Sequence, residues 1–272
     1  MTDRRSIFIT GGAGGMGLET GRYFSEKGWL VGLFDSNTEL LNQISDEFNP
    51  EQLVTGRLDV TQQADFEPAI ADFAECSGGR MDILFNNAGI APGGWFDEME
   101  LSVLEQTISV NVLGVIYGTR AALPFLKVTD NSLCISTSSS VATYGHARRA
   151  VYSASKFAVK GLTEALSLEF ERFGIRVADV LPGCIDTPML RRETARGRPF
   201  HESMLDALPK SGPYRLMPAR AIAEAVWAAY EDSTRIHFYV PEEVGNTDRI
   251  KAQDISLARE EARSFLFGRG ET

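Results

Sequence analysis

Ser6-Ile7-Phe8-Ile9-Thr10-Gly11-Gly12-Ala13-Gly14-Gly15-Met16-Gly17 decides the fold of this chain. Its first five residues form an apolar run ended by glycine, the pattern of a short buried strand. A helical pattern, Leu18 to Lys27, follows the glycines. Strand, glycine turn and helix together open a dinucleotide-binding fold. Glycines let the backbone approach a pyrophosphate, and the helix start turns N–H groups and partial positive charge toward it. Two registers fit. Gly12, Gly14 and Gly17 match G-x-G-x-x-G, while Thr10-Gly11, Gly15 and Gly17 match T-G-x-x-x-G-x-G. A flexible turn is the plain alternative.

The next strand, Leu30-Val31-Gly32-Leu33-Phe34, ends at Asp35, eighteen residues after Gly17. A carboxylate there accepts hydrogen bonds from both adenosine ribose hydroxyls and repels a 2′-phosphate. Ser36 and Asn37 supply no cation, so NAD is expected over NADP. The alternative is that Asp35 only caps a helix beginning near Thr38.

Apolar strand patterns recur near 6–10, 30–35, 53–57, 83–86, 132–136, 176–181 and 236–240, alternating with helical ones. That alternation predicts an α/β fold: a Rossmann-type doubly wound parallel sheet of about seven strands. At 272 residues and 43% hydrophobic, a single domain over 1–272 is expected. A substrate flap is expected near 190–217 and a C-terminal extension near 241–272, with a helix from Asp254 to Phe267.

Tyr152-Ser153-Ala154-Ser155-Lys156 follows Ser139 by thirteen positions. If the stretch from Val151 is helical, Tyr152 and Lys156 stand one turn apart on one face. The ammonium favours the phenolate, which makes Tyr152 a candidate acid/base. Ser138 and Ser140 compete with Ser139, but on an extended segment they face the other way.

With Thr10-Gly11-x-x-x-Gly15-x-Gly17, Asn86-Asn87-Ala88-Gly89, Asn111, Ser139, Tyr152, Lys156 and Pro182-Gly183 in order, the chain resembles the short-chain dehydrogenase/reductase family, its shorter single-domain members most. The likeness runs from about Ser6 to Thr187. It implies an NAD-dependent oxidoreductase for a small-molecule secondary alcohol or ketone. Tyr152 is then the acid/base and Ser139 holds the substrate oxygen. Lys156 favours the phenolate and grips the nicotinamide ribose, and Asn111, in a helix from about Ser102 to Ala122, holds a water linked to Lys156. Gly11, Gly15, Met16 and Gly17 carry the cofactor turn. Asp59 and Val60 resemble the adenine contact, while Asn86, Ala88 and Gly89 resemble the segment that holds cofactor and central strand together. Pro182, Gly183, Ile185 and Thr187 resemble the nicotinamide side. Each has a plain alternative, with Asp59 a helix cap before Gln62 and Pro182-Gly183 only a turn. The family also implies a homodimer or homotetramer through the helices bearing Asn111 and Tyr152. A rival reading is a non-catalytic NAD-binding sensor or scaffold of the same fold. A transient-oxidation epimerase or dehydratase usually has a larger substrate domain.

A net charge of −10 argues against nucleic acid. No signal-peptide core and no apolar stretch long enough for a bilayer are read, so a cytoplasmic setting without membrane is expected. Cys76, Cys134 and Cys184 suit reduced thiols, and His146, His201 and His237 lack metal-ligand spacing, so no metal is expected. His146 is read as a surface or subunit-contact loop residue rather than a substrate contact. Arg148 and Arg149 meet an anionic substrate or, more commonly, water. Ala91-Pro92-Gly93-Gly94-Trp95-Phe96, the segment Ala142 to Val151 and the flap border the substrate. Met189, Leu190, Phe200, Met204, Leu205 and Leu208 either line a greasy pocket or pack the flap onto its own domain.

Overall fold

The computed structural model describes residues 4–192, 194–195, 198–199 and 208–267. Seven parallel strands form one sheet in the order β3-β2-β1-β4-β5-β6-β11. These are β1 (Ser6–Thr10), β2 (Leu30–Asp35), β3 (Leu53–Arg57), β4 (Ile83–Asn86), β5 (Leu133–Thr137), β6 (Arg176–Pro182) and β11 (His237–Val240). Their intervening helices are α1 (Gly15–Glu26), α2 (Thr38–Ser45), α3 (Gln63–Ser77), α4 (Leu101–Ile108), α5 (Gly114–Lys127) and α6 (Ala150–Glu169). The expected doubly wound single-domain architecture is the observed one. Strand order reverses between β1 and β4, which opens a crevice at their carboxyl ends.

Why the sheet holds is plain from its two faces. Ile7, Ile9, Val31, Leu33, Ile83 and Phe85 point to one side, where Phe24, Trp29, Val226 and Tyr230 cover them. Phe8, Phe34, Leu84 and Cys134 point to the other, against Phe66, Phe73, Ala122 and Leu126. Strands buried on both faces read as continuous apolar runs, the signature followed above. Phe8, Phe24, Phe34, Phe66, Phe73 and Phe85 are all fully buried, worth roughly 1.5–3 kcal/mol each.

The structure departs from expectation in four places. The helix carrying Asn111 is interrupted by a π-turn, Ser109–Leu113, between α4 and α5. The combined run Leu101–Lys127 is long and apolar enough to cross a membrane, contrary to the sequence reading, because three helical segments fuse end to end. Here it packs against α3, α6 and β4. After β6, β7 (Cys184–Asp186) and α7 (Pro188–Arg192) precede a two-residue pairing of β8 (Thr194–Ala195) with β9 (Arg198–Pro199). The chain then returns as β10 (Leu216–Pro218), which pairs with β7 in strands too short to show a period. Helix α8 (Arg220–Glu231) packs against α1.

Beyond β11 lies the fourth departure, an unexpected helix, α9 (Gly245–Gln253), before α10 (Ile255–Phe267). Helix α9 has little apolar pattern because it docks through polar groups: the Tyr239 hydroxyl donates to Asp248 Oδ2 at 2.7 Å. In α10, Ala258 is fully buried while Ile255 and Leu257 are exposed. Phe200, His201, Met204 and Leu205 of the flap lie outside the described residues, as do the side chains of Ala262, Phe265 and Leu266.

Candidate active site

Packing settles the register of the glycine turn. A β-carbon on Gly17 would stand 2.2 Å from the Gly11 carbonyl oxygen, and one on Gly11 2.8 Å from the Ala88 Cα. Gly11 and Gly15 both have left-handed backbones, with φ of 67° and 55°, where L side chains are strained. Gly14 has open space beside it. Gly11, Gly15 and Gly17 are each constrained, as T-G-x-x-x-G-x-G requires, whereas Gly14 of the other register is not. Gly12, the first glycine of the other register, is constrained as well, pressed against Leu33 of β2 at 2.9 Å. Met16 lies half-buried at the start of α1 against the core.

The turn is tied to β4 by a residue the sequence reading passed over. The Asn87 carboxamide donates to the Thr10 and Gly11 carbonyls at 3.1 and 3.2 Å, while the Thr10 hydroxyl accepts from the Asn87 and Ala88 N–H groups, both at 3.0 Å. Asn86 instead turns its side chain to α5, donating to Thr119 Oγ1 at 3.1 Å. Adjacent asparagines on a strand point to opposite faces, so two identical letters take different tasks.

At the end of β2, Asp35 accepts from the Ala13 N–H at 3.1 Å and the Asn37 N–H at 2.9 Å. It does not cap α2; Asn37 does, accepting from the Leu40 N–H at 3.1 Å. Asp35 thus stands beside the glycine turn. Arg57 is its partner in the β2–β3 register and is ion-paired with Asp65 at 2.8 Å, a cation near Asp35 that adjacency in sequence could not reveal. Asp59 accepts from the Thr61 N–H and hydroxyl at 3.0 and 2.7 Å, within a turn, and Gln62 occupies the cap of α3. Val60 is buried against Gly114.

The catalytic candidates converge on the N-terminal half of α6. Lys156 is 4% exposed; its ammonium donates to the Thr137 carbonyl at 2.7 Å and lies 5.8 Å from the centre of the Tyr152 ring. Burial pushes Lys156 down to about 8, against the pull of the Asp179 charge. A β-carbon on Gly89 would stand 3.3 Å from Asn111 Oδ1 and 3.6 Å from Lys156 Nζ, so these residues share one place. Asn111 sits in the π-turn and is fully buried. It accepts from the Ile90 N–H at 2.9 Å and donates to the Ile90 carbonyl at 2.9 Å and Ser155 Oγ at 3.0 Å. Such single π-turns inside α-helices are frequent at functional sites.

The three serines follow β5, which ends at Thr137, and each has a different environment. Ser138 Oγ donates to the Lys156 carbonyl at 3.0 Å and pins the strand end to α6. Ser139 Oγ accepts from the Val141 N–H at 3.3 Å, and Ser140 opens the short 3-10 turn Ser140–Ala142. Opposite them, Pro182 ends β6, and the Gly183 N–H donates to the Val240 carbonyl at 2.7 Å. A β-carbon on Gly183 would lie 2.8 Å from the Pro213 carbonyl. Ile185 is buried in β7. The Thr187 hydroxyl accepts from the Leu190 N–H at 3.2 Å at the start of α7, and its methyl group faces Gly15.

Arg148 and Arg149 do not simply meet water. Arg149 donates to the Ala91 carbonyl and packs on Gly93, while Arg148 lies 5.4 Å over the Trp95 ring and accepts from the Gly94 N–H through its carbonyl at 3.0 Å. They clasp the loop after β4 to the segment before Tyr152. His146 lies in a loop as expected, yet half-buried, with its ring 6.1 Å from that of Tyr214. Burial, with Arg149 beside it, pulls it down to about 4.

A family model described as short chain dehydrogenase matches residues 5–197. The chain is 35% identical over 183 residues to 2,5-dichloro-2,5-cyclohexadiene-1,4-diol dehydrogenase LinX of Sphingobium indicum, covering 66% of this chain and 73% of that one. It is 31% identical over 193 residues to a 3alpha-hydroxysteroid dehydrogenase of Mediterraneibacter gnavus, covering 70% and 77%. A short chain dehydrogenase/reductase of Burkholderia phymatum solved with NAD shares the fold, with a TM-score of 0.79 at 24% identity over 94% and 95% of the two chains. A dinucleotide-type sheet with these motifs defines an oxidoreductase class. The chain belongs to the short-chain dehydrogenase/reductase family.

Proposed function

We propose that the protein interconverts a secondary alcohol and its ketone with NAD(H). The observation that carries this reading is the buried Lys156 ammonium beneath the Tyr152 ring. A cation there favours the phenolate, which takes the hydroxyl proton of the alcohol in oxidation and returns it in reduction. Ser139 holds the substrate oxygen at Tyr152. The crevice fits a dinucleotide: its glycines leave no side chain in the way and Gly14 borders open space. When bound, the nicotinamide supplies the hydride chemistry. Gly11, Gly15, Met16 and Gly17 would hold its pyrophosphate, Asp35 its adenosine ribose, Asp59 and Val60 its adenine, and Ile185 and Thr187 its nicotinamide side. Asp35 supports NAD over NADP by repelling a 2′-phosphate.

Two relatives are named for cyclic alcohols, a cyclohexadienediol and a hydroxysteroid, and we extend that substrate class to this chain. Exposed Leu101, Ile108 and Leu113 on α4–α5 and Leu168 on α6 support a homodimer or homotetramer through these helices. The cytoplasmic setting is supported by Cys76, Cys134 and Cys184 standing outside any disulfide. The test is a 340 nm absorbance screen of cyclic secondary alcohols with NAD or NADP, and of the ketones with the reduced cofactors. Tyr152→Phe runs alongside. Turnover that favours NAD and vanishes in the variant is expected. Cofactor binding with no turnover across a chemically broad panel would overturn the reading in favour of a non-catalytic protein.

A further inference from the structure

Two buried groups of opposite charge meet the sheet at neighbouring positions, Lys156 at Thr137 of β5 and Asp179 opposite Ser136, each short of partners. The Lys156 ammonium bonds a neutral carbonyl, that of Thr137. Asp179 of β6 is fully buried; its Oδ1 lies 2.7 Å from His237 Nδ1, and its Oδ2 has no hydrogen-bond partner. In the β5–β6 register Asp179 stands opposite Ser136, the residue before Thr137. Ala178 and Val180 belong to the core beneath α1 and α8, so Asp179 points to the other face, under α6. There Lys156, Lys160 and Glu164 recur every four residues along one side of the helix.

His237 of β11 bridges the two elements. Its Nε2 lies 3.3 Å from Glu164 Oε1, so the imidazole sits between two carboxylates. Burial pulls His237 down, but the hydrogen bond and charge of Asp179 outweigh it, and His237 stands above its ordinary value. Burial pushes Asp179 up to about 6, against the hydrogen bond and charge of His237, which favour the carboxylate. The remaining charges facing this site are also placed. Lys160 is ion-paired with Asp248 of α9, to which the Tyr239 hydroxyl donates as well.

We propose that Asp179 is a positioning residue, the buried counter-charge that keeps Lys156 an ammonium, with His237 fixing the carboxylate and Glu164 fixing His237. The catalytic consequence rests on the alcohol–ketone reading above; the charge relation does not. A desolvated ammonium beside only a neutral acceptor sheds its proton readily, and a nearby carboxylate opposes that. Its loss would bring Lys156 close to neutrality at physiological pH and remove the charge that favours the Tyr152 phenolate.

The test is to titrate Lys156 directly. The chain has six lysines, so in protein carrying 13C-labelled lysine the Cε resonance of Lys156 is identified by its loss in Lys156→Met. Asp179→Asn keeps the shape and still accepts from His237. It should move the midpoint of Lys156 down by at least one pH unit, about tenfold in proton affinity. An unchanged or raised midpoint overturns the proposal. If Asp179→Asn does not fold, the paired change Asp179→Leu with His237→Phe removes both polar groups together and should give the same downward shift. Where turnover is found, its alkaline limb should move with Lys156. Absence of turnover would count against the proposed reaction while the lysine titration still decides the role of Asp179.

Discussion

At the turn between β1 and α1 the chain works by leaving side chains out, whereas along α6 it works by setting charged side chains where water is scarce. In the turn, Gly11 and Gly17 let two backbone segments and the head of α1 meet at distances a β-carbon would forbid, and Gly15 takes a left-handed backbone. On α6, Tyr152, Lys156, Lys160 and Glu164 project from an ordinary helix, and the position depends on what surrounds each charge. The difference teaches how each region fails. A change in the turn acts by collision and is felt in folding and cofactor binding together. A change on α6 acts on proton affinity and can leave the fold untouched.

The largest effect should separate these modes cleanly. Tyr152→Phe is expected to lower turnover by about a thousandfold or more, within the range for loss of an acid/base. NAD affinity and melting temperature should stay near those of the parent. If calorimetry shows NAD affinity collapsing as well, α6 is not acting by protonation alone. Next, Ser139→Ala should cost roughly a hundredfold in kcat while Ser140→Ala costs little; equal, mild losses in steady-state kinetics would sink the division of labour among the serines.

In the turn, Gly17→Ala should destabilise the fold by about 1–3 kcal/mol, as overpacking does, and weaken NAD in the same protein. Denaturant melts and calorimetry together check this, and a stable variant with normal affinity would break the comparison. Asp35→Ser should weaken NAD by roughly tenfold, the loss of a hydrogen bond to a charged group. It should also narrow the margin over NADP, because Arg57 stands in register beside it; Kd values for both cofactors decide. Smallest of all, Gly14→Ala meets nothing within 4 Å and should change the stability of the cofactor-free protein by less than about 0.5 kcal/mol. A clear drop in its melting temperature would show that the turn is tighter than its packing indicates.

Much of the fold was legible in the order of residues. Apolar runs such as Ser6–Thr10 and Leu133–Thr137 are buried on both faces, so their positions and the seven-stranded parallel class follow from local periodicity. The spacing from Tyr152 to Lys156 likewise places both on one helix face before any tertiary contact is known. Other features depend on contacts between residues far apart in the chain. The register of the glycine turn is settled by Ala88 against Gly11 and by the open space beside Gly14, and the choice of Asn87 over Asn86 by the pleat of β4 against Thr10. The π-turn at Asn111 is matched to the backbone of Ile90, and α9 is held through Tyr239 and Asp248 rather than by an apolar stripe.

The sequence by itself determined the sheet, the crevice and the candidate residues at its rim, because periodicity and spacing are properties of neighbours along the chain. Only the tertiary structure decided what surrounds Lys156. Asp179 and His237 are separated by 58 residues and meet only because β6 and β11 pair in register. The proton affinity of a buried group is set by the charges and water around it in space, which no local pattern records.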